Sequence, residues 1–568
     1  MAALDRHIPE LALDWAASIP ERQWQSVDGT LCFADISGFT SLAERLSRQG
    51  RVGGEELITT LNRVFGPMLD CAREYDGMLL KFGGDALLFL FTGPDHAMRA
   101  ASAAVGMRSA LRVAAERPTS VGRIRLSMSV GLHSGALDFF LVGGSHRELV
   151  LVGPQATAAA DCEAAANAGE IAVTESTAAL LPGDAIRARE DGLRLLRWRQ
   201  PATGPDGCET IRSYPDELAF GLFPQRLGRY LAGQVPEPEH RVACIAFARF
   251  SGTDRLLLEA GPAAVASALN DTLGAAQGFF DAEQVTLLAV DLDRDGGKLF
   301  LGSGVPFASE DDEARMLRAL RKLVTANLPL PIQAGVNRGH VFAVEVGTPW
   351  RAAYSAMGDT TNTAARICAK APAGSLYAHP GVLDYSRTRF GTEAVGPFQF
   401  KGKKVPQVVY AVDEPQGRRY RTTREVELPF TGRRDELEML GSRVRAVQSG
   451  QGGVVCVTGP AGIGKSQLAR EATRFAPESR VIGLRAEPYG TANPYRVFRD
   501  PLRELLGIAR ANAKEMGRQL ADRVAELDPG RAELVALLDD VLDVELPESP
   551  AVTAIETRFR PERVAELV

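Results

Sequence analysis

An internal repeat constrains the fold of this chain more than any other feature of its sequence. Three short segments recur in the same order further along the chain: FADISG (33–38) as FARFSG (247–252), GLHSG (131–135) as GVNRG (335–339), and AGE (168–170) as AGS (373–375). The copies are separated by 214 residues at the first segment, and by 204 and 205 at the next two. A nearly constant separation, interrupted by a loop-sized deletion, is typical of a duplicated domain. The sequence therefore predicts two consecutive domains of one fold.

Strands and helices alternate within each copy. In the first copy the apolar pattern predicts a strand from Leu31, a hairpin over 77–91, an alanine-rich helix over 95–116, and strands at 125–131 and 148–152. Strands that alternate with helices predict a mixed sheet covered by helices, which is an α/β (α+β) fold.

The repeat, its linkers and a change in composition divide the 568 residues into several units, because the chain is too long for a single core. The predicted boundaries are an N-terminal segment (1–27), a first domain (28–214), a linker (215–239), a second domain (240–414), a charged linker (415–427) and a third domain (428–568).

Composition excludes several classes of protein. A formal net charge of −6 with 24% charged residues gives no support for bulk nucleic-acid binding. The seven cysteines are scattered without a C-x-x-C pair, which argues against a disulfide framework or a zinc site. No apolar run approaches the ~18 residues of a membrane span, and the N-terminus lacks the pattern of a signal peptide. We therefore expect a cytoplasmic protein with reduced thiols.

A phosphate-binding motif opens the third domain. The pattern G-x4-G-K-S follows an apolar run at 453–458, predicted to be a strand, and precedes a predicted helix. Its fixed positions are Gly459, Gly464, Lys465 and Ser466. In such a P-loop, backbone amides surround the phosphates, the lysine reaches the outer phosphates, and the serine binds Mg²⁺.

ATP hydrolysis would also need an acidic residue at the end of a second strand. The nearest match, LLDD at 537–540, has the leucine spacing of a helix. We therefore expect a partial P-loop α/β domain, cut short at its C-terminal side, that binds ATP with Mg²⁺ and for which turnover has no support.

Two carboxylates of the first copy fall at the ends or turns of predicted strands. Asp35 ends the strand that begins at Leu31, and Asp85 lies in the predicted hairpin. Together they could hold two divalent cations around a triphosphate. The second copy has Arg249 at the position of Asp35, and an alignment of residues 295–303 gives no carboxylate at the position of Asp85. The second copy is therefore not expected to bind metal.

A polar pair distinguishes the second copy instead. Asn362 and Arg366 are four residues apart near the start of a predicted helix, so they share one helix face. Such a pair could orient a ribose and stabilise a pentavalent phosphate. The first copy has Thr157 and Asp161 at these positions, which cannot do this. Each copy thus has half of a site, and pairing of the copies would complete one composite site and leave its twin inactive.

These motifs resemble those of the class III nucleotidyl cyclases, which form cyclic AMP or cyclic GMP. The resemblance depends on FADISGFT (33–40), KFGGD (81–85) and the spacing G-x3-N-x3-R from Gly358. Tandem domains followed by FTGR (430–433) and a P-loop, with FFLVGGSHRE (139–148), resemble the soluble, bicarbonate-regulated adenylyl cyclases and their bacterial relatives. The resemblance implies two ferredoxin-like domains that form a pseudo-symmetric pair with the active site at their interface.

The resemblance also implies the roles of individual residues. Asp35 and Asp85, with the backbone near Ile36, would bind two Mg²⁺ or Mn²⁺ ions. Asn362 would orient the ribose, and Arg366 would stabilise the transition state as the 3′-hydroxyl attacks the α-phosphorus of ATP and expels pyrophosphate.

Base recognition departs from the family pattern. The alignment puts Asp295 where adenylyl cyclases have a base-contacting lysine, with Lys298 three residues further on and Ser355 at the position of its partner. An acidic residue with a small hydroxyl would also suit guanine. The overall architecture favours ATP, and GTP is the alternative substrate.

Regulation by bicarbonate is doubtful on the same comparison. Lys81 matches the lysine that binds the anion in the resembling subfamily, but Asp161 replaces the arginine. An alternative function, of a different class, is that the cyclase pair is catalytically silent, binds nucleotide and regulates the P-loop domain.

Overall fold

Each copy of the repeat folds into an eight-stranded mixed sheet in a computed structural model of the chain. The structure describes residues 4–568 except 39–41, 43, 44, 47–50, 84, 85, 116, 117, 124, 125, 202–213, 234–237, 310, 401–405, 419–431, 460–462, 478, 485–494, 509–512, 543, 545, 548 and 556–559. Both sheets belong to the unit Met1–Tyr420, and a second unit comprises Arg421–Val568.

The first sheet has the strand order β2-β3-β1-β6-β8-β10-β9, with β7 paired to β6, and a separate two-stranded ribbon is formed by β4 and β5. The bounds are β1 (Trp24–Ser37), β2 (Met78–Gly83), β3 (Ala86–Thr92), β4 (Pro118–Thr119), β5 (Gly122–Arg123), β6 (Ser127–Val142), β7 (Glu148–Leu151), β8 (Ile171–Val173), β9 (Ile186–Ala188) and β10 (Arg194–Leu196).

The second sheet repeats this order as β12-β13-β11-β14-β16-β18-β17, with β15 paired to β14. Its strands are β11 (Glu239–Ser251), β12 (Thr286–Asp293), β13 (Gly296–Ser303), β14 (Ile332–Gly347), β15 (Ala352–Met357), β16 (Leu376–Ala378), β17 (Thr388–Phe398) and β18 (Gln407–Arg418). The equal strand orders confirm the predicted duplication and the mixed α/β fold.

Helices cover the sheets of the first unit. They are α1 (Glu10–Ser18), α2 (Arg51–Glu74), α3 (His96–Ala115), α4 (Pro154–Ala165), α5 (Glu175–Ala178), α6 (Asp216–Phe220), α7 (Gln225–Gly233), α8 (Thr253–Ala282), α9 (Asp312–Thr325), α10 (Asp359–Cys368) and α11 (Pro380–Tyr385), with short 3-10 helices at Leu4–His7 and Gly183–Ala185. No helix among the described residues of the chain is long and apolar enough to span a membrane.

Strand β1 shows how the sequence pattern determines the two faces of the first sheet. Side chains alternate between the faces of a strand. Cys32, Ala34 and Ile36 are buried in the core beneath α2 and α3. Leu31 and Phe33 point to the other face, where they join a hydrophobic cluster that contains residues of both domains. By the same alternation, Asp35 lies on the face that meets the second domain.

The two domains complete each other's cores through reciprocal ribbons. From β14 and β15, four apolar side chains enter the core of the first domain: Phe342, Val344, Val346 and Met357. From β6 and β7, four enter the core of the second domain: Phe140, Val142, Val150 and Val152. Full burial of such side chains contributes roughly 1.5–3 kcal/mol each. Because the two domains exchange eight such core side chains, they pack as a single body.

The N-terminal segment contacts Glu345 of the second domain through Arg6 and His7. Arg6 pairs with Glu345, and the His7 Nε2 lies 3.4 Å from the second oxygen of the same carboxylate. The His7 side chain is only 1% exposed. Burial, followed by the charges of Arg6 and Arg351, lowers the pKa of His7 to about 3. His7 is therefore neutral in the folded chain.

Acid is expected to destabilise the chain through His7. The folded pKa is about 3, whereas the unfolded imidazole takes up a proton near pH 6.5, so stability is lost as the pH falls below 6.5. Between pH 6.5 and 5 the loss is about 2 kcal/mol. Urea unfolding at several pH values, followed for the first transition, should show this slope in the natural chain and a flatter one in His7→Gln. Equal slopes would contradict the assignment.

The second unit contains only helices among its described residues. These are α12 (Arg434–Gln448), α13 (Lys465–Thr473), α14 (Arg496–Leu506), α15 (Ala513–Leu527), α16 (Asp539–Leu542), α17 (Pro550–Thr553) and α18 (Arg560–Leu567), with a 3-10 helix at Pro529–Leu538.

The prediction of a strand before the P-loop is wrong. Residues 453–458 form no strand, and Val454 is 97% exposed. A strand needs a neighbour to satisfy its backbone amides and carbonyls. The described part of this unit offers no other strand, so the run stays irregular. The α/β character expected of this unit is therefore not present in the described residues. LLDD at 537–540 is helical, as its leucine spacing indicated.

Candidate active site

Asp35 lies at the centre of the first sheet, near the end of β1. It pairs with Ala86 of β3 on one side and with Ser129 of β6 on the other, and its side chain is half-buried. The next residue, Ile36, is fully buried, and the chain turns at Gly38, which has a φ of 93°. Asp35 is thus held by a rigid strand at the point where the chain leaves the sheet.

The second expected metal ligand, Asp85, lies outside the described residues. Its described neighbours are Gly83, which ends β2, and Ala86, which begins β3 and pairs with both Gly83 and Asp35. The end of the β2–β3 hairpin therefore adjoins Asp35.

The donor chemistry at Asp35 suits Mg²⁺ or Mn²⁺. A carboxylate and the backbone carbonyl of Ile36 are hard oxygen ligands, and Mg²⁺ usually takes only one or two carboxylates and completes its shell with phosphates and water. Among the residues that the structure describes, no three His, Cys, Asp or Glu side chains are grouped as a metal site.

The corresponding position of the second sheet is filled by an internal ion pair. Arg249 pairs with Lys298 of β13 and Gln333 of β14, in the register that Asp35 has in the first sheet. Its Nε lies 3.1 Å from Asp293 Oδ2, and its terminal nitrogen donates to the carbonyl of Arg294 at 3.1 Å. By register Gly297 takes the position of Asp85. A guanidinium and a glycine leave no cation ligand at these two positions.

Helix α10 presents Asn362 and Arg366 as the spacing predicted. The helix begins after Gly358, whose φ of 136° favours glycine. Both side chains are half-buried, and neither is engaged in a hydrogen bond or an ion pair with any described residue. Ala364 and Cys368 of the same helix belong to the hydrophobic cluster that contains Leu31 of β1. The helix packs against β11 and β14 of its own sheet, and through this cluster it adjoins β1, the strand that carries Asp35.

The equivalent helix of the first domain, α4, is engaged in direct contacts with the second domain. Thr157 Oγ1 accepts a hydrogen bond of 2.9 Å from the Asp295 amide, and Asp161 Oδ1 lies 2.5 Å from Arg294 Nε. Both helices begin after a glycine with positive φ, and the paired positions follow at the same spacing. The two halves of the pseudo-symmetric pair thus differ. Thr157 and Asp161 of α4 contact residues of the second domain. The side chains of Asn362 and Arg366 of α10 form no hydrogen bond or ion pair with any described residue.

The structure corrects the role expected for Asp295. Its carboxylate accepts backbone hydrogen bonds from Gly252 and Asp254, each of 3.0 Å, at the start of α8. It therefore caps a helix at the tip of the β12–β13 hairpin, beside α4. A carboxylate satisfied in this way is not a base-contacting group for the site at α10.

The other two candidate base contacts are placed on strands of the second sheet. Lys298 lies in β13 opposite Asp291, whose pKa is raised by burial despite the charge of Lys298. Ser355 is half-buried in β15 opposite Val344. The described contacts do not join either side chain to Asn362 or Arg366.

Lys81 lines a small cavity of about 80 Å³ and lies close to Glu148. Burial lowers its pKa, and Glu148, 4.0 Å away, opposes this effect. Burial would raise the pKa of Glu148, but a hydrogen bond from His146 and the charge of Lys81 hold it below its usual value. With Asp161 bound to Arg294, both positions considered for bicarbonate already have protein partners. That bicarbonate does not regulate this chain remains a prediction.

Arg351 is a buried residue at the domain interface that no sequence pattern singles out. It precedes β15, is 7% exposed, and donates hydrogen bonds of 3.3 Å to the carbonyls of Leu79 and Leu80 in β2. Leu80 is the residue left out of the β2–β3 ladder at a bulge, so its carbonyl lacks a strand partner there. Arg351 also donates to the carbonyl of Arg6 at 3.0 Å. It therefore fixes the strand that leads to the hairpin of Asp85.

The P-loop has the helix start that its motif requires. Gly464, with a φ of 96°, precedes α13, which begins at Lys465. The Lys465 Nζ donates a 2.9 Å hydrogen bond to the carbonyl of Gly459, and Ser466 is exposed. The lysine thus contacts the first glycine of its own motif.

A match to a family model identifies the first copy of the repeat as a class III nucleotidyl cyclase domain. Residues 22–201 match the family model of the adenylate and guanylate cyclase catalytic domain, and residues 429–567 match that of the AAA ATPase domain. The chain thus has a cyclase catalytic domain and an AAA ATPase domain, and the prediction of both families is confirmed.

Relatives of both nucleotide classes are similar to this chain. Adenylate cyclase type 10 of Mus musculus is 29% identical over 155 residues, which are 26% of this chain and 10% of the relative. A membrane guanylyl cyclase of Dictyostelium discoideum is 27% identical over 170 residues, 29% of this chain and 11% of the relative. The chain thus spans about a tenth of the length of these relatives.

Among solved structures, a class III adenylyl cyclase-like ATP-binding protein from Pseudomonas aeruginosa aligns with 64% of this chain and 85% of its own. The identity is 13% and the TM-score is 0.45.

Proposed function

We propose that the chain converts ATP into 3′,5′-cyclic AMP and pyrophosphate at one composite site between its two cyclase domains. The observation that supports this best is the asymmetry of the two equivalent helices. Thr157 and Asp161 of α4 are bonded to the second domain, and the metal position opposite them is occupied by Arg249. Asn362 and Arg366 of α10 have no such partners among the described residues, and α10 shares a hydrophobic cluster with Leu31 of β1, the strand that carries Asp35.

The first domain would supply the metal ligands of this site. Asp35, the carbonyl of Ile36 and Asp85 would hold two Mg²⁺ or Mn²⁺ ions. Bound there, such ions lower the pKa of the attacking hydroxyl and neutralise charge on the triphosphate. The rigid central position of Asp35 in the sheet, between Ala86 and Ser129, is what makes it suitable as an anchor.

The second domain would supply orientation and charge. Asn362 offers both a donor and an acceptor to the ribose. Arg366, one turn further on the same helix face, would stabilise the negative charge that develops on the oxygens of the α-phosphate. The 3′-oxygen forms a bond to the α-phosphorus as the bond to the bridging oxygen of pyrophosphate breaks, and the 3′-hydroxyl proton passes to solvent. Positioning and charge stabilisation supply most of the catalysis in such phosphoryl transfers.

ATP is the proposed substrate because the main feature in favour of guanine is lost. Guanine needs an acceptor for its N1 and N2 protons, and the Asp295 carboxylate is already satisfied by two backbone amides. Lys298 and Ser355 remain as the proposed base contacts. GTP is the alternative substrate.

The P-loop is proposed as a second nucleotide site. Gly459 and Gly464 would place backbone amides around the phosphates, Lys465 would contact the outer phosphates, and Ser466 would ligate Mg²⁺. This site would bind ATP with Mg²⁺ separately from the cyclase site.

The purified chain is expected to form cyclic AMP and pyrophosphate in equal amounts from ATP and Mn²⁺. Products should be identified by mass spectrometry, so that ADP from the AAA ATPase domain is distinguished from cyclic nucleotide. The variant Lys465→Ala is the matched control, because it alters the P-loop and should keep the cyclase rate. Absence of cyclic product from both ATP and GTP would refute the proposal. Preference for GTP would refute only the base assignment.

A further inference from the structure

An arginine-rich cleft lies on the side of the first domain that is covered by α3. It has a volume of about 730 Å³, and its lining shares no residue with the candidate active site or the P-loop. Five arginines line it together with one tryptophan: Arg108, Arg112, Arg187, Arg197, Arg199 and Trp198. No acidic residue is among the described residues of the lining. We propose that this arginine cleft binds a polyphosphorylated small molecule.

The described residues provide no carboxylate partner for the arginines of the cleft. None of the five arginines forms an ion pair with a carboxylate of the described chain. Arg112, Arg187, Arg197 and Arg199 are exposed at its walls. The guanidinium is the group best suited to bind phosphate oxygens through two parallel hydrogen bonds. The chain has a net charge of −6, yet one concave surface gathers five arginines that have no carboxylate partner among the described residues. Such a surface fits an anionic ligand.

The guanidinium of Arg108 is held in a fixed orientation in the cleft. Its terminal nitrogens donate to the carbonyls of Trp198 at 2.7 Å and Gly169 at 3.3 Å, which fixes the guanidinium plane. Burial, followed by the charges of Arg112 and Arg199, lowers the pKa of Arg108. Three cations are therefore close enough to interact, and a ligand with several negative charges would relieve their repulsion.

Size and polar lining favour a small molecule over a macromolecule. Pockets for small ligands are about 300–1,000 Å³, and the cleft lies within this range. Ser109 and Ser127 line it and offer hydroxyl donors to phosphate oxygens. The ring of Trp198 lines it as well, a surface on which the base of a nucleotide could stack. A nucleoside polyphosphate and inorganic polyphosphate share the required chemistry.

The cleft is also connected to the candidate active site through the sheet. Ser127 begins β6 and pairs with Ser37 of β1, two residues beyond Asp35. A ligand in the cleft would thus contact the strand that flanks the proposed metal anchor.

Calorimetric titration with inorganic tripolyphosphate tests the proposal. The titration uses the 568-residue chain with Lys465→Ala, in EDTA. Binding through the P-loop lysine or through a divalent metal is thereby excluded. We expect one binding event that is weakened at least ~100-fold in the same chain with Arg112→Glu and Arg197→Glu, because two charged hydrogen bonds to the ligand are lost. ATP tested in parallel distinguishes the two ligand sources, since tighter binding of ATP would indicate that the base is recognised.

Matched variants separate the cleft from general effects of charge. Arg229→Glu changes an exposed arginine of α7 outside the cleft and should leave the affinity unchanged. Arg112→Gln with Arg197→Gln removes the charges without reversing them, and serves if the glutamate variant does not fold. Equal affinity in the cleft variants and in Arg229→Glu would overturn the proposal. Displacement of tripolyphosphate by single-stranded RNA at lower concentration would overturn the assignment to a small ligand.

Discussion

Replacing Arg366 by alanine is expected to lower the rate of cyclic nucleotide formation by about 100- to 1,000-fold without unfolding the chain. Loss of one preorganised donor to a developing oxyanion typically costs this much. The side chain is half-buried and makes no hydrogen bond or ion pair with any described residue, so its removal should leave the fold intact. The measurement is the initial rate with saturating ATP and Mn²⁺, alongside the melting temperature.

Asp161→Ala is the matched control, because it changes the equivalent position of the other helix. Asp161 pairs with Arg294 at 2.5 Å, but the side chains are 51% and 58% exposed. Such a surface pair contributes no more than about 1 kcal/mol to stability, and its loss should change the cyclase rate less than twofold. Similar losses in both variants would show that the two halves of the pair are not functionally different.

Replacing Arg351 by methionine is expected to destabilise the paired domains by about 3 kcal/mol. The guanidinium is buried, and its loss leaves the carbonyls of Leu79 and Leu80 without their donor. Each buried acceptor left unsatisfied costs roughly 1–3 kcal/mol, while methionine retains much of the apolar stem. Hydrogen exchange should also become faster in β2, and the Mn²⁺ concentration needed for half-maximal activity should rise, because β2 leads to the hairpin of Asp85.

Arg241→Met distinguishes this positioning role from a general loss of stability. Arg241 is 3% exposed and bonds to Glu239 and to the carbonyl of Gly304, all within the second domain. Its replacement should lower the melting temperature and leave both the exchange of β2 and the Mn²⁺ dependence unchanged. An unaltered β2 in Arg351→Met would contradict the role assigned to that residue.

The sequence predicted the architecture well because the repeat is visible in local patterns. FADISG and FARFSG occupy the same place in the two sheets, so the exchange of Asp35 for Arg249 can be recognised by comparing the two copies along the chain. The spacing of Asn362 and Arg366 also predicted their common helix face, since it depends only on helix geometry. These inferences depend only on local sequence patterns, which can be recognised without knowledge of distant contacts.

The hairpin of the second sheet was misjudged because its alignment depends on strand register. Lys81 lies opposite Leu88 just after a bulge, and Ala289 lies opposite Phe300 just after the equivalent bulge. The structural counterpart of Lys81 is therefore Ala289. The alignment that put a base-contacting group at Asp295 is displaced towards the hairpin tip. No sequence signal marks a bulge of this kind.

Other features could not be predicted because they depend on distant partners. Arg351 is important only because β2 of the other domain has an unpaired carbonyl. Likewise, the apolar run at 453–458 has strand-like composition, but the described part of its unit provides no strand for it to join. Composition alone gives neither the presence nor the absence of such a partner.

Mixing two inactive variants tests most directly whether one chain forms one composite site from both of its domains. Asp35→Asn removes the proposed metal anchor of the first domain, and Arg366→Ala removes the proposed charge of the second. The two domains exchange core side chains within one chain, so intact halves on different chains should not combine. We predict that the natural chain forms cyclic AMP while each variant and their equimolar mixture stay inactive. Recovery of activity in the mixture, or full activity of either variant alone, would contradict the account.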